Sequence, residues 1–323
     1  MIEDFGSLNG EKYSLYTIEN NFLKISVTDY GARLVNFICK KNNTNIIKGF
    51  DNVVEYYNDD NYVGASVGRV CNRIKNAQFK LNKQVYQLDN NDNGNCLHGG
   101  FKGFAFQKWQ VEIADNLIIC KYLSPDLEGG FPGAMQVEVI YSIDGNALNY
   151  KYKIISDQDS IASITNHAYF NLNGRTSDSI ANHLLYVNAN DVALLDNTNV
   201  ASEVTMPVIG SIFDFNKYCE LKKVLQSKDL QLQLAHGLDH HFIRKNDDVF
   251  ISCIGSKCKL QIYTDLPGGQ IYTANFFTPV HSAICFETQY YPNAINYQRF
   301  KKPLILKNKA VVHETKYLVS EVK

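Results

Sequence analysis

Along this chain apolar and polar residues alternate with a period of two far more often than with helical spacing, the mark of half-buried strands. The rhythm is clearest from 137 to 154. There Val137, Val139, Tyr141 and Ile143 alternate with Gln136, Glu138 and Ser142. After Asp144-Gly145, Leu148, Tyr150, Tyr152 and Ile154 take it up again. Asp-Gly between two alternating runs predicts a hairpin, because both residues tolerate a positive φ. A second hairpin is predicted where Trp109, Val111 and Ile113 face Ile118, Cys120 and Tyr122 across Asp115-Asn116, and a third from Phe79 and Leu81 across Asn82-Lys83 to Val85. Strand-like runs recur at 23–28, 183–189, 259–263, 270–275 and 283–288. Helical spacing is confined to Cys219 through Gln226, where Leu221, Val224 and Leu225 share a face behind Asn216 as a cap, and to a short turn from Val53 to Tyr56. No repeat, low-complexity block or linker divides the chain. The pattern predicts an all-β fold, one large single-domain β-sandwich over residues 1–323.

Composition narrows the classes of function. The 323 residues are 45% hydrophobic and 20% charged, enough for a large core. A net charge of −1 offers no field to gather a polyanion, so neither nucleic acid nor an anionic membrane is expected as a partner. The start, Met1-Ile2-Glu3-Asp4-Phe5-Gly6, has neither the basic nor the apolar region of a signal peptide, and no apolar run is long enough to span a bilayer. The eight cysteines stand singly, without CxxC pairs, and are expected as free thiols in a cytoplasmic protein, where the Asn42-Asn43-Thr44 sequon carries no meaning.

Several residues could do chemistry, and each is ambiguous alone. Glu287 lies in an apolar strand on the same face as Cys285 and Ala283, where a carboxylate is costly unless paired. His167 sits in Ile161-Ala162-Ser163-Ile164-Thr165-Asn166-His167-Ala168-Tyr169-Phe170, in similarly apolar surroundings. A core histidine and a structural ion pair are the bland readings of these two. Asp239 could merely organise a turn after Gly237, and His98 before Gly99-Gly100 could be a loop residue. Arg69 and Arg73, four apart, could be solvated or could form a guanidinium fork for a polar ligand. Adjacent His240 and His241 point to opposite faces of a strand and cannot chelate one ion. No HExxH, GxGxxG or GxxxxGK[ST] pattern occurs, so no metal site or phosphate loop is expected, and no serine nucleophile is expected either.

Taken in order, these segments resemble the aldose 1-epimerase (galactose mutarotase) family from near the N-terminus to about residue 300. The matching pieces begin with Tyr30-Gly31-Ala32, Gly49-Phe50-Asp51 and Gly68-Arg69-Val70-Cys71-Asn72-Arg73-Ile74. Leu97-His98-Gly99-Gly100 and Glu128-Gly129-Gly130-Phe131-Pro132-Gly133 come next. The later half supplies Asn166-His167-Ala168-Tyr169-Phe170-Asn171-Leu172, Gly237-Leu238-Asp239-His240, Gln270 through Phe276, and Phe286-Glu287-Thr288-Gln289. The resemblance implies a β-supersandwich with very few short helices, an open polar cleft, no cofactor and a free aldose as substrate. It further implies His167 as general acid and Glu287 as general base, with His98, Asp239 and Arg73 holding sugar hydroxyls and Asn72 and Gln270 lining the cleft. Arg69 matches the motif but is expected to be structural. A monomer and a homodimer are both compatible.

Three departures bear on the expectation. The stretch between Asn275-Phe276 and Glu287 is shorter than the family norm, which could open the cleft. Asn293 stands where an Asp is usual, and the segment around Met206 to Gly210 lacks the customary Pro-Thr-Gly. They motivate a second class of function, a sugar-binding module without turnover. A third is a glycoside hydrolase using Asp239 and Glu287 as its carboxylate pair.

Overall fold

The computed structural model describes residues 1–322. The strongest alternation forms the longest hairpin. Met135–Asp144 pairs with Ala147–Ser156 along its whole length, one side chain in two buried. Its loop is Gly145-Asn146, one residue beyond the expected turn, because Asp144 still pairs with Ala147. The hairpins at 110–124 and 78–87 form as expected, the latter with positive φ at both Asn82 and Lys83, as its two-residue turn requires.

Among the described residues α-helix is limited to three five-residue segments. Val53–Tyr57 is capped by Asn52, whose side chain accepts the Glu55 N–H. The predicted helix is shorter than its pattern, Leu221–Leu225. Cys219 and Glu220 are held extended by pairing with Leu185 and Leu184, so Asn216 cannot cap it. A third helix, Leu230–Leu234, capped by Asp229, is too short for its periodicity to be read.

Three antiparallel sheets carry the architecture of a β-supersandwich. A five-stranded sheet holds the N-terminal strands from Ile2–Leu8 to Thr44–Asn45. A nine-stranded sheet runs from Gln110–Ala114 to Cys219–Glu220, with the C-terminal strand Val311–Glu321 at its centre. A six-stranded sheet is ordered Tyr169–Phe170, Ile284–Gln289, Gly268–Tyr272, Asp239–Arg244, Ala189–Leu195, Ala201–Pro207. One continuous core fills the space between the sheets, as where Phe170 meets Phe286 of one and Tyr317 of another, both with centroids 5.7 Å away.

Strand parity in the six-stranded sheet decides where chemistry can sit. Phe242, Ile271, Ile284 and Phe286 point into the core. The residues between them, Asp239, His241, Gln270, Tyr272, Cys285 and Glu287, therefore share the other face.

Candidate active site

The six-stranded sheet makes the floor of a cleft of about 460 Å³. In its register Gln270 lies directly opposite Glu287, while Cys285 lies opposite both Tyr272 and Tyr169, and Tyr272 opposite Asp239. Directly opposed residues of antiparallel strands project to the same side, so carboxylates, amide, thiol and tyrosines converge without any loop having to carry them. Gln270 donates its amide to Asp239 at 2.7 Å. The turn before Asp239 is fastened by Asn275, whose Nδ2 donates to the carbonyls of Ala235 (2.6 Å) and Leu238 (3.0 Å).

Short ribbons supply the opposite wall. Thr165–Asn166 pairs with Ser66–Val67 and sets down His167, while Arg73–Ile74 pairs with Cys96–Leu97 and sets down Arg73 and His98. The ribbon ends turn sharply: Asn72 and His98 both have positive φ, 63° and 51°. The Asn72 N–H donates to Nδ1 of His98 at 3.2 Å, and its Oδ1 accepts the Arg73 N–H at 2.8 Å. Gly99, with φ +89°, lets the chain pass so close to Gly68 that a Cβ would lie 1.9 Å from its carbonyl oxygen.

His167 and Glu287 meet in the cleft, with Nε2 and Oε1 3.7 Å apart. Both are almost wholly buried, and the second oxygen of Glu287 has no hydrogen-bond partner. Nδ1 of His167 lies 3.6 Å from Sγ of Cys285. The imidazole stacks on Tyr169 at 5.1 Å and meets the edge of His98 at 5.3 Å. Arg73 donates through Nε to Asp92 at 2.6 Å and lies 3.8 Å from Asp239.

Burial sets the electrostatics. Loss of water, with the charge of Asp239 adding to it, pushes the Glu287 carboxyl up to about 8, against the opposing pull of Arg73. Loss of water likewise brings the His167 imidazole down to about 4. His98 is held well below the ordinary histidine value by burial, then by His167 and Arg73. Burial would lower Arg73, but Asp239 and Asp92 outweigh it and keep the guanidinium charged. The Asp239 carboxyl is raised by burial, opposed by Arg73 and Gln270.

Donor atoms of His98, His167 and Glu287 lie within 4.8 Å of one another, a spacing at which an ion could be held. The Asn72 N–H on Nδ1 of His98 argues otherwise. It places the proton of the neutral ring on Nε2, which is then a donor and not a ligand.

Six of the seven expected site residues, Asn72, Arg73, His98, His167, Asp239 and Glu287, line one cleft. Gln270 does not line it, but lies beside Asp239 and holds its carboxylate. Arg69 is remote from the cleft chemistry, its guanidinium donating to Ser124 Oγ and to the carbonyls of Ser124, Pro125, Phe131 and Pro132. Asn293 accepts the Lys75 N–H at 3.2 Å in a left-handed conformation (φ 59°), a position that suits Asn. The short stretch after Asn275 stays on the cleft: Phe276 lines it and Phe277 stacks on Tyr169 at 5.0 Å.

Asp92, Tyr62, Tyr169, Tyr272 and Cys285 were not legible as site residues. Asp92 sits in a polar run, Asn90 to Asn95, with nothing to single it out. Tyr62 has φ 56° and packs against His98 with the rings tilted, centroids 4.8 Å apart; Asp59 fixes it by accepting the N–H groups of Asn61 (3.0 Å) and Val63 (2.9 Å). A tyrosine beside Gly64 was the signal available.

A family model described as aldose 1-epimerase matches residues 14–318. The galactose mutarotase of Sus scrofa is 33% identical over 324 residues, covering 94% of this chain and 93% of that one. The aldose 1-epimerase of Haemophilus influenzae is 31% identical, covering 92% of each. Among solved structures, a galactose 1-epimerase from Lactobacillus acidophilus superposes with a TM-score of 0.90 at 24% identity, over 100% of this chain and 99% of the other.

Proposed function

Because this chain belongs to the aldose 1-epimerase family and is a mutarotase, we propose that His167 and Glu287 form its acid–base pair, acting on a free hexose of the galactose or glucose type. The observation that carries this reading is the 3.7 Å gap between Nε2 and Oε1 of two buried groups. The anomeric hydroxyl and the ring oxygen of a pyranose hang on the same carbon. An acid and a base serving both must therefore sit close together, yet not so close that they satisfy each other.

The chemistry closes on these two side chains. The Glu287 carboxylate takes the proton of the C1 hydroxyl, whose electron pair forms the carbonyl. The bond from C1 to the ring oxygen breaks, and that oxygen takes a proton from Nε2 of His167. The aldehyde turns about its bond to C2, and the ring oxygen adds to the opposite face. In closing, the ring hydroxyl returns its proton to His167 and Glu287 gives one to O1. One proton alternates between imidazole and carboxyl, and nothing is consumed.

Burial favours the opening step. The closed ring is met by a charged pair, which the dry site penalises. The open aldehyde is accompanied by a neutral pair, which the site prefers. Arg73 partly offsets the penalty on Glu287, and hydroxyls of the bound sugar supply the hydrogen bonds that the unpartnered Oε2 lacks. His98, through Nε2–H, Arg73 and the Asp239–Gln270 pair are assigned to the remaining hydroxyls. Asp239, already committed to Gln270 and faced by Arg73, is poorly placed to act as the free acid of a glycosidase.

We read residues 1–323 as one unit working in the cytoplasm on a small-molecule aldose. The eight free cysteines support that compartment. Polarimetry tests the function: the protein should speed the approach of fresh α-D-galactose and α-D-glucose to equilibrium rotation. Calorimetric sugar binding without such acceleration would instead identify a binding module.

A further inference from the structure

We infer that Cys285 is a positioning residue for His167: its sulfur accepts the Nδ1–H, keeping that nitrogen protonated so that Nε2 alone exchanges protons with the sugar. The inference rests on the reading of His167 as the acid. It starts from proton bookkeeping. If Nδ1 were bare, a neutral imidazole could give up the Nε2 proton only by becoming an anion. A histidine that cycles between its cationic and neutral forms must therefore keep the proton on the nitrogen that faces away from the substrate.

Sγ of Cys285 lies 3.6 Å from Nδ1, within reach of a sulfur hydrogen bond, and both residues are buried. Strand register places it there. Cys285 is directly opposite Tyr169, two residues after His167, and two residues before Glu287 on the same face of the strand Ile284–Gln289. One strand thus carries both the base and the group that orients the acid. Burial, then the charges of Glu287 and Asp239, keep Cys285 a neutral thiol. A thiol is a weak acceptor. A carboxylate in its place would stabilise the imidazolium and make it a poorer acid. Sulfur orients the ring without weakening its acidity.

The test combines Cys285→Ser, Cys285→Val and long-range ¹H–¹⁵N spectra of the imidazole, assigned by the signals lost in His167→Asn. The expected result is an Nδ1–H tautomer in the parent protein at pH 7 and in Cys285→Ser, which retains an acceptor and near-parental kcat. Cys285→Val should show a mixed or reversed tautomer and a kcat lower by about tenfold, a smaller loss than removal of a carboxylate orienter produces. An Nε2–H tautomer in the parent overturns the assignment, whether or not Cys285→Val folds. So does a folded Cys285→Val with unchanged tautomer and kcat. If His167→Asn itself keeps near-parental kcat, the acid–base reading fails instead, whatever the tautomer.

Discussion

Glu287 and His167 are shifted in opposite directions by the same cause, loss of water, and the shifts leave one proton between them over a wide range. Below about 4 both groups are protonated and no base remains; above about 8 neither is, and no acid remains. Between those limits the pair holds the single proton that the reaction needs, on one partner or the other. The expected kcat/KM profile is therefore a broad plateau across neutral pH, falling on the acid side near 4 and on the alkaline side near 8, with each limb belonging to the pair. Initial rates of galactose mutarotation between pH 3.5 and 9.5, corrected for buffer catalysis, check this. An acid limb near 6.5, the ordinary histidine value, would mean that His167 titrates as an unburied imidazole.

At the scale of elements, the site depends on strand parity below and tight ribbon turns above. Parity was legible: the alternation around Phe286 and Glu287 already put Glu287 and Cys285 on one face, away from the core. The ribbons were not. Ser66–Val67, Arg73–Ile74, Cys96–Leu97 and Thr165–Asn166 are two residues each, too short for any periodicity to show. What the sequence did carry there was Gly99, whose φ and approach to Gly68 no side chain can match. Gly99→Ala should lose on the order of 2 kcal/mol or more in urea unfolding, since an alanine must both adopt the strained backbone and displace a carbonyl. It should also raise KM by displacing His98. Unchanged stability and KM would show that the turn relaxes freely.

For the whole molecule, hydrophobic patterning sufficed for the all-β class and for most strands, because burying one face of a strand and leaving the other nearer solvent imposes alternation. The helix at Leu221–Leu225 lost its start because an edge pairing outweighed local propensity at Cys219 and Glu220. The site's assembly was not visible in spacing: His167 and Glu287 are distant in sequence, and only sheet order brings them together. The resemblance supplied that pairing, and it missed what lies around the pair, Asp92, Tyr62 and Cys285. The eight cysteines are all free and all but Cys219 are buried. A thiol reagent should accordingly titrate about one group rapidly in the native protein and all eight after unfolding, and reductant should leave the melting temperature unchanged. Rapid modification of several thiols in the native state would contradict that packing.

The central claim is that an imidazole and a carboxylate act as one unit on a single sugar. A double-mutant cycle in kcat for galactose, followed by anomeric exchange NMR, tests it most directly. His167→Asn and Glu287→Gln should each lose at least about 100-fold, and the double variant little more than the worse single one, because removing either partner disables the shared step. Near-parental rates in either single variant, or losses that simply multiply, would contradict it.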